Sequence, residues 1–285
     1  MDGCTRQNPA YRPAEGRAPV RGLFPFLTSL LAATAIFGAV AGGEEGSALA
    51  RARAAEPGEW RPDVKRARQY AKRRSGDVRF SIVDPEGKAR DFHGGQTAPM
   101  ASTVKVILLA AYLRQGSVRD RALHERDRKL LGPMIRRSDN NAAARVRDIV
   151  GEGAIRRVAR DARMHHFRYS GTWGLCRTSA SDQASFMYRF EETIPDRHEG
   201  YAKHLLASVV SAQRWGVARA RPKGWKLFFK GGWGIADNVN HQVAFLQRRG
   251  NRVALAILTE GSPGHEYGRK TLGGVASRLL RGLHR

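Results

Sequence analysis

Alternating apolar and polar residues predict two β-hairpins, one in each half of the chain. Val78, Phe80 and Ile82 alternate with polar residues ahead of an Asp-Pro-Glu-Gly turn, which predicts a hairpin over residues 78–93. Apolar stretches on both sides of an Arg-Arg-Gly-Asn turn predict a second hairpin over residues 239–259. Hairpins so far apart in the sequence indicate one antiparallel sheet that distant segments complete.

Helical spacing dominates between the two hairpins. Apolar residues recur three and four positions apart in a segment that predicts a buried helix: Val104, Ile107, Leu108, Ala111 and Tyr112. Residues 118–212 follow helical patterns, with loops near 151–153 and 170–181. A basic helix is predicted over about 62–74, and an amphipathic helix over 272–280 is predicted near the end of the sequence.

These elements predict an α/β (α+β) fold in which an antiparallel sheet is flanked by helices. We expect the sheet to be built from residues about 60–117 and about 213–283, with an all-helical part inserted over about 118–212. A length of 285 residues suits one large domain, or two closely packed ones, with a sizeable core.

An apolar segment near the N-terminus is typical of a secretory signal peptide. Residues 23–40 are mostly apolar, arginines precede them, and an Ala-Leu-Ala cleavage site ends at residue 50. We therefore expect a signal peptide over 1–50, a linker over 51–59, and a protein that is secreted or associated with the cell wall. An uncleaved membrane anchor is the alternative, because the segment approaches the ~18 residues that span a bilayer.

The chain carries a formal net charge of +24, from 50 Lys and Arg against 26 Asp and Glu. A charge of this size favours solubility and contact with polyanions, but it does not specify a fold. The basic residues are scattered and lack the interleaved aromatic residues that stack on single-stranded nucleic acids, so we expect no nucleic-acid partner. Anionic cell-wall polymers are the expected polyanions, and we expect a monomer.

The sequence contains two cysteines and nine histidines. Removal of the predicted signal peptide would leave Cys176 alone, so the mature chain could not form an intramolecular disulfide. We predict that Cys176 is a small, buried, apolar residue. The histidines show no metal-ligand spacing, so we expect no metal and no cofactor.

Three short motifs carry the candidate chemistry. Ser102 and Lys105 stand three positions apart at the start of the predicted buried helix, so both lie on one face. A serine hydroxyl needs a neighbouring base to act as a nucleophile, and a buried lysine loses its proton more easily than an exposed one. A Ser-Asp-Asn motif at 138–140 follows a predicted helix, and a Lys-Gly-Gly motif at 230–232 ends a predicted strand.

Each motif alone also has a plain structural interpretation. These are a serine helix cap with a surface lysine, a helix–helix turn capped by Asp139 or Asn140, and a glycine turn after a strand. Together and in this order, the motifs resemble the signature of the penicillin-recognising serine hydrolases, which include class A β-lactamases and D,D-peptidases. The resemblance covers roughly residues 60–283 and implies a β-lactamase/transpeptidase-like fold with the site between the sheet and the helical part.

The resemblance implies acyl-enzyme chemistry on a β-lactam or a peptidoglycan-like acyl substrate. Ser102 would be the nucleophile, Lys105 its base, and Ser138 the relay of a proton to the leaving nitrogen. The backbone N–H groups of Ser102 and Trp233 would hold the oxyanion. The substrate-binding residues implied by the resemblance are Asn140, Lys230, Gly232 and Trp233.

Three departures from the family pattern change the functional expectation. Class A enzymes carry a Glu that activates the deacylating water, but the matching stretch, 169–179, contains no Glu or Asp. Gly231 stands where a hydroxyl side chain is usual, and the interval between the first two motifs is short. These losses favour acylation over turnover. The alternatives to a β-lactamase-like hydrolase are a penicillin-binding, D,D-peptidase-like protein and a non-catalytic wall-binding domain.

Overall fold

The computed structural model describes residues 60–234 and 238–283. The predicted signal peptide and linker lie outside these residues, so the structure does not bear on them. Within the described ranges, no helix combines the length and the apolar character that crossing a membrane requires.

Strands and helices follow the predicted order along the chain, except for two short strands that were not predicted. These are Thr97–Pro99 and Arg177–Ser179, and the second falls in the loop predicted near 170–181. The described residues form these strands: β1 Asp77–Val83, β2 Ala89–Phe92, β3 Thr97–Pro99, β4 Arg177–Ser179, β5 Lys226–Gly234, β6 Val239–Arg248 and β7 Asn251–Glu260. They form these α-helices: α1 Val64–Ala71, α2 Lys105–Leu113, α3 Glu125–Arg136, α4 Asn140–Asp161, α5 Ala180–Tyr188, α6 Asp196–Ala207, α7 Val217–Ala220 and α8 His265–Leu279. Short 3-10 helices occupy Ala101–Val104, Trp173–Leu175, Phe190–Thr193 and Ser211–Gln213.

Five strands form one antiparallel sheet in the order β2-β1-β7-β6-β5. The two predicted hairpins meet at its centre, where Phe80 of β1 pairs with Ile257 of β7. β5 lies at the edge and pairs with β6, which places Gly232 opposite His241. A separate two-stranded sheet joins β3 to β4.

Helices cover both faces of the large sheet. On one face, α1 and α8 pack against buried residues such as Phe80 and Phe229. On the other face, a larger core joins Phe228 and Phe245 of the sheet to α2, α3, α4, α5 and α6. Every residue of α2 is buried, which agrees with its nearly unbroken apolar sequence.

The predicted fold class, an antiparallel sheet flanked by helices, is confirmed. One local prediction is wrong: the Lys-Gly-Gly motif does not end its strand, because pairing with β6 continues as far as Gly234. Ser102 lies in the first turn of the buried helix, as predicted. That turn is 3-10 from Ala101 to Val104 and becomes α-helical at Lys105. A predicted loop near 151–153 corresponds to a break inside α4 at Gly151, where φ is 70° and ψ is 164°.

Candidate active site

The 3-10 turn at Ala101–Val104 brings the serine and the lysine of the first motif together. Residues three apart eclipse each other in a 3-10 helix, and Lys105 Nζ lies 3.0 Å from Ser102 Oγ. Ala101, just before the serine, has a φ of 47°, which is unusual for a residue with a side chain. The backbone at the candidate nucleophile is therefore held in a sparsely populated conformation by its surroundings.

The second motif connects α3 to α4 and points two residues at Lys105. Ser138 has a φ of 61°, and its carbonyl oxygen and Oγ lie 2.6 and 3.2 Å from Lys105 Nζ. Asn140 begins α4, and its Oδ1 accepts a hydrogen bond from Lys105 at 2.7 Å. Asp139 caps α4 by accepting from the Ala142 N–H at 2.7 Å, so its role is structural, as predicted.

The third motif brings a second amine to the same place. Lys230 lies on edge strand β5 and is completely buried, and its Nζ is 2.9 Å from Ser138 Oγ and 2.6 Å from the Gly231 carbonyl oxygen. Ser138 Oγ therefore lies within hydrogen-bonding distance of both lysine amines. A hydroxyl with two such neighbours is well placed to pass a proton.

The two glycines of the third motif meet different neighbours. A Cβ atom on Gly232 would lie only 2.9 Å from Ser102 N, so the bare strand permits β5 to approach the first motif. A Cβ atom on Gly231 would lie 3.5 Å from the ring of Trp215. The Trp215 indole thus occupies the space beside Gly231.

Burial shifts both lysine pKa values downward. Burial lowers the pKa of Lys105 from 10.5 to about 8, and the nearby Asp139 carboxylate opposes this effect. Burial lowers the pKa of Lys230 well below its usual value, and the Lys105 charge lowers it further. Near neutral pH a fraction of Lys105 is therefore uncharged and can take up a proton.

His241 supports the site from β6 and was not identified from the sequence. Its Nε2 lies 2.8 Å from the Pro99 carbonyl oxygen, and its Nδ1 accepts from the Thr259 N–H at 3.1 Å. Burial lowers the pKa of His241 to about 4, so the ring is neutral at physiological pH. It anchors the chain three residues before Ser102. Only its buried strand position could have suggested this role.

The stretch 169–179 crosses the first motif and presents an aromatic ring there. The Trp173 ring lies over Lys105 Nζ, with 4.8 Å between the nitrogen and the ring centroid. Among the described residues, no Asp or Glu hydrogen-bonds to Ser102, Lys105, Ser138 or Lys230. The departure noted in the sequence is therefore also a property of the folded site.

Three of the four glutamates nearest to this stretch in the sequence, Glu192 being the fourth, pair with basic side chains. Glu191 and Glu199 both pair with Lys203, and Glu152 pairs with Arg156 along α4. Nor does any cluster of three or more His, Cys, Asp and Glu residues in the described ranges suit a metal ion. Cys176 is buried, and burial raises the pKa of its thiol.

The folded chain assembles most of the predicted site residues into one hydrogen-bonded cluster. The residues of this cluster are Ser102, Lys105, Ser138, Asn140 and Lys230. Gly232 lines it through its backbone, and the Trp233 ring lies 5.9 Å from Lys230 Nζ. The role of each residue in a reaction stays a prediction.

The fold is that of the class A β-lactamases. A β-lactamase from Sphaerobacter thermophilus matches with a TM-score of 0.67 and 20% identity, over 78% of this chain and 97% of that chain. A class A β-lactamase from Mycobacterium abscessus gives 0.67 and 17%, over 78% and 99% of the two chains. An ancestral class A β-lactamase gives 0.66 and 16%, over 76% and 98%. At these identities the likeness establishes the fold.

Sequence comparison adds the family. The sequence model of the Beta-lactamase enzyme family matches residues 126–283, which is more than half of the chain. The chain belongs to this family, and the resemblance based on the three motifs is confirmed. No curated protein matches the sequence.

Proposed function

We propose that the chain is a serine acyl-hydrolase that opens a β-lactam or a related amide through an acyl-enzyme on Ser102. The observation that carries this proposal is the 3.0 Å contact between Lys105 Nζ and Ser102 Oγ. The Lys105 amine, whose pKa is about 8, is therefore in direct contact with the Ser102 hydroxyl. With that pKa, roughly a tenth of Lys105 is uncharged at neutral pH and able to accept a proton.

Acylation uses the other two motifs as well. Lys105 takes the proton of Ser102 as the oxygen bonds to the carbonyl carbon, and the backbone N–H groups of Ser102 and Trp233 stabilise the oxyanion. The proton then passes from Lys105 to Ser138 Oγ, 3.2 Å away, and on to the leaving nitrogen as the C–N bond breaks. The product of this step is an ester on Ser102.

Substrate binding falls to the edge strand and to Asn140. β5 is an edge strand, so a substrate backbone can lie along the side that does not pair with β6. The amide N–H₂ of Asn140 is available to a substrate carbonyl while its Oδ1 faces Lys105. Lys230 attracts a substrate carboxylate, and a bound carboxylate would favour the charged form of this buried amine. The substrate class is therefore a β-lactam or a related amide that carries a carboxylate.

Intact-mass measurement after addition of a simple penicillin tests the proposal. We expect the protein mass to increase by one penicillin, and Ser102→Ala to show no increase while its circular dichroism spectrum stays native. An adduct that persists on Ser102→Ala would identify a different nucleophile. A wild-type protein that neither gains mass from penicillin or from an acylated D-Ala-D-Ala peptide nor hydrolyses either compound would favour the non-catalytic wall-binding alternative.

A second candidate function is that of a penicillin-binding protein that acylates without rapid turnover. The absence of a carboxylate from 169–179 favours it, because that stretch provides no general base for a hydrolytic water. The decay rate of the adduct separates the two functions. Loss of the adduct within seconds would indicate a β-lactamase, and a lifetime of hours would indicate a penicillin-binding protein.

We also propose that the protein is exported. The apolar segment 23–40, the arginines before it and the Ala-Leu-Ala site ending at residue 50 support this proposal. N-terminal sequencing of the protein recovered outside the producing cell tests it. A chain that begins at Arg51 would support cleavage, and recovery of an intact N-terminus in the membrane fraction would indicate an anchor.

A further inference from the structure

Trp173 covers the side of Lys105 that its oxygen partners leave open. The ammonium group has three N–H donors, and oxygen atoms of Ser102, Ser138 and Asn140 all lie within 3.2 Å of it. The indole ring lies over the same nitrogen at 4.8 Å, and Lys105 has no exposed surface. Solvent therefore does not reach Lys105, and the Trp173 ring is one of the groups that cover it.

The position of this ring is fixed by the segments on either side of it. Trp173 begins a 3-10 turn that is closed by the Leu175 N–H donating to the Thr172 carbonyl oxygen at 2.9 Å. The Cys176 carbonyl oxygen accepts from the Met100 N–H at 2.7 Å, and β4 then pairs with β3. The stretch that carries Trp173 is therefore tied to the segment that leads into Ser102, so the ring and the nucleophile are held by one structure.

We propose that Trp173 excludes water from Lys105 and thereby sets the lifetime of an acyl group on Ser102. This inference rests on the proposed acylation of Ser102. In the step that the ring opposes, a water oxygen bonds to the acyl carbon while Lys105 takes a proton from that water. The bond from the acyl carbon to Ser102 Oγ then breaks, Lys105 returns the proton to Ser102 Oγ, and a carboxylic acid leaves. Lys105 is the base nearest to the ester, so a ring on its open side blocks this route.

The test follows adduct decay by intact mass in wild type and in variants of the same 3-10 turn. Trp173→Ala should acylate at a similar rate but lose its adduct at least about tenfold faster, which corresponds to about 1.4 kcal/mol in the barrier. Trp173→Phe, which keeps an aromatic face, should decay like wild type. Leu175→Ala is the matched control, because Leu175 is 58% exposed and projects to solvent from the same turn.

A Trp173→Ala adduct that decays as slowly as wild type would overturn the inference, and so would equal acceleration by Leu175→Ala. Should Trp173→Ala fail to fold, Trp173→Leu gives the same comparison with a smaller expected acceleration. Loss of acylation in Trp173→Ala with normal decay of the remaining adduct would instead assign the ring to substrate binding, and would also reject the proposal.

A second readout does not depend on acylation. Reductive methylation followed by peptide mass mapping reports the access of small reagents to each lysine. Lys105 should be protected in wild type and methylated in Trp173→Ala, with Lys129, whose side chain is 73% exposed, as the internal reference. Equal methylation of Lys105 in the two proteins would refute the covering role, even if no substrate acylates the wild type. Failure of acylation in all of the proteins would refute the proposed function alone.

Discussion

Replacing Gly232 by alanine should push the edge strand away from the candidate nucleophile. The new methyl group would lie 2.9 Å from Ser102 N, 3.0 Å from Thr103 N and 3.1 Å from Met100 O. All three are backbone atoms, so none can rotate aside as a side chain would. Ordinary contacts of a Cβ atom begin near 3.4 Å, so the strand and the 3-10 turn must separate by several tenths of an ångström.

The expected magnitude follows from this separation. Overpacking of a well-packed interior costs about 1–3 kcal/mol, and we expect the free energy of unfolding of Gly232→Ala to fall by that amount. A misplacement of about 1 Å can cost roughly 100-fold in rate, so a shift of a few tenths should slow acylation of Ser102 by about tenfold. Urea denaturation and time-resolved intact mass measure the two effects.

Gly231→Ala is the matched control. Its methyl group would lie 3.5 Å from the Trp215 ring, which is an ordinary contact, and neither glycine has a positive φ. Both substitutions therefore reduce the backbone entropy of the unfolded chain to the same extent, so a difference in stability between the two variants reports the steric effect alone. If the two variants lose equal stability and equal rate, the close approach of β5 to Ser102 does not determine the geometry of the site.

Two further predictions concern pH. The acylation rate should rise about tenfold per pH unit up to about pH 8 and then level off, because the acting base is uncharged Lys105. Asp139→Asn should move the rising part of the pH profile to lower pH, because the Asp139 charge raises the Lys105 pKa. A pH profile of covalent labelling that does not move in this variant would contradict the assignment of Lys105 as the base. Burial alone would raise the pKa of Asp127, but hydrogen bonds from Arg121 and Tyr112 lower it from 3.8 to about 2. The resulting stabilisation, about 2 kcal/mol, is present above about pH 4 and lost as the pH falls through 2. Asp127→Asn should therefore lose more stability at pH 6 than at pH 2 in urea denaturation, and equal losses would refute this interpretation.

The sequence by itself determined the sheet, the buried helix and the three motifs. Each of these depends on residues that are close together in the chain. β1 was predicted from alternation and α2 from three-and-four spacing, and the motifs are short patterns at the ends of predicted elements. The three-residue spacing of Ser102 and Lys105 also predicted that the two side chains share one helix face, and their 3.0 Å contact agrees with this. The convergence of the three motifs, in contrast, was predicted by resemblance and not from their spacing.

Only the tertiary structure decided which side chains surround that cluster. Three contacts around the cluster join residues that are not neighbours in the chain. They are the contacts of Trp173 with Lys105, of Trp215 with Gly231, and of His241 with Pro99. Such contacts depend on how distant elements pack. The local sequence around a single aromatic residue or histidine does not predict which residue it will contact. The sequence showed that 169–179 lacks a carboxylate, but packing alone determined that an indole ring lies over the lysine amine.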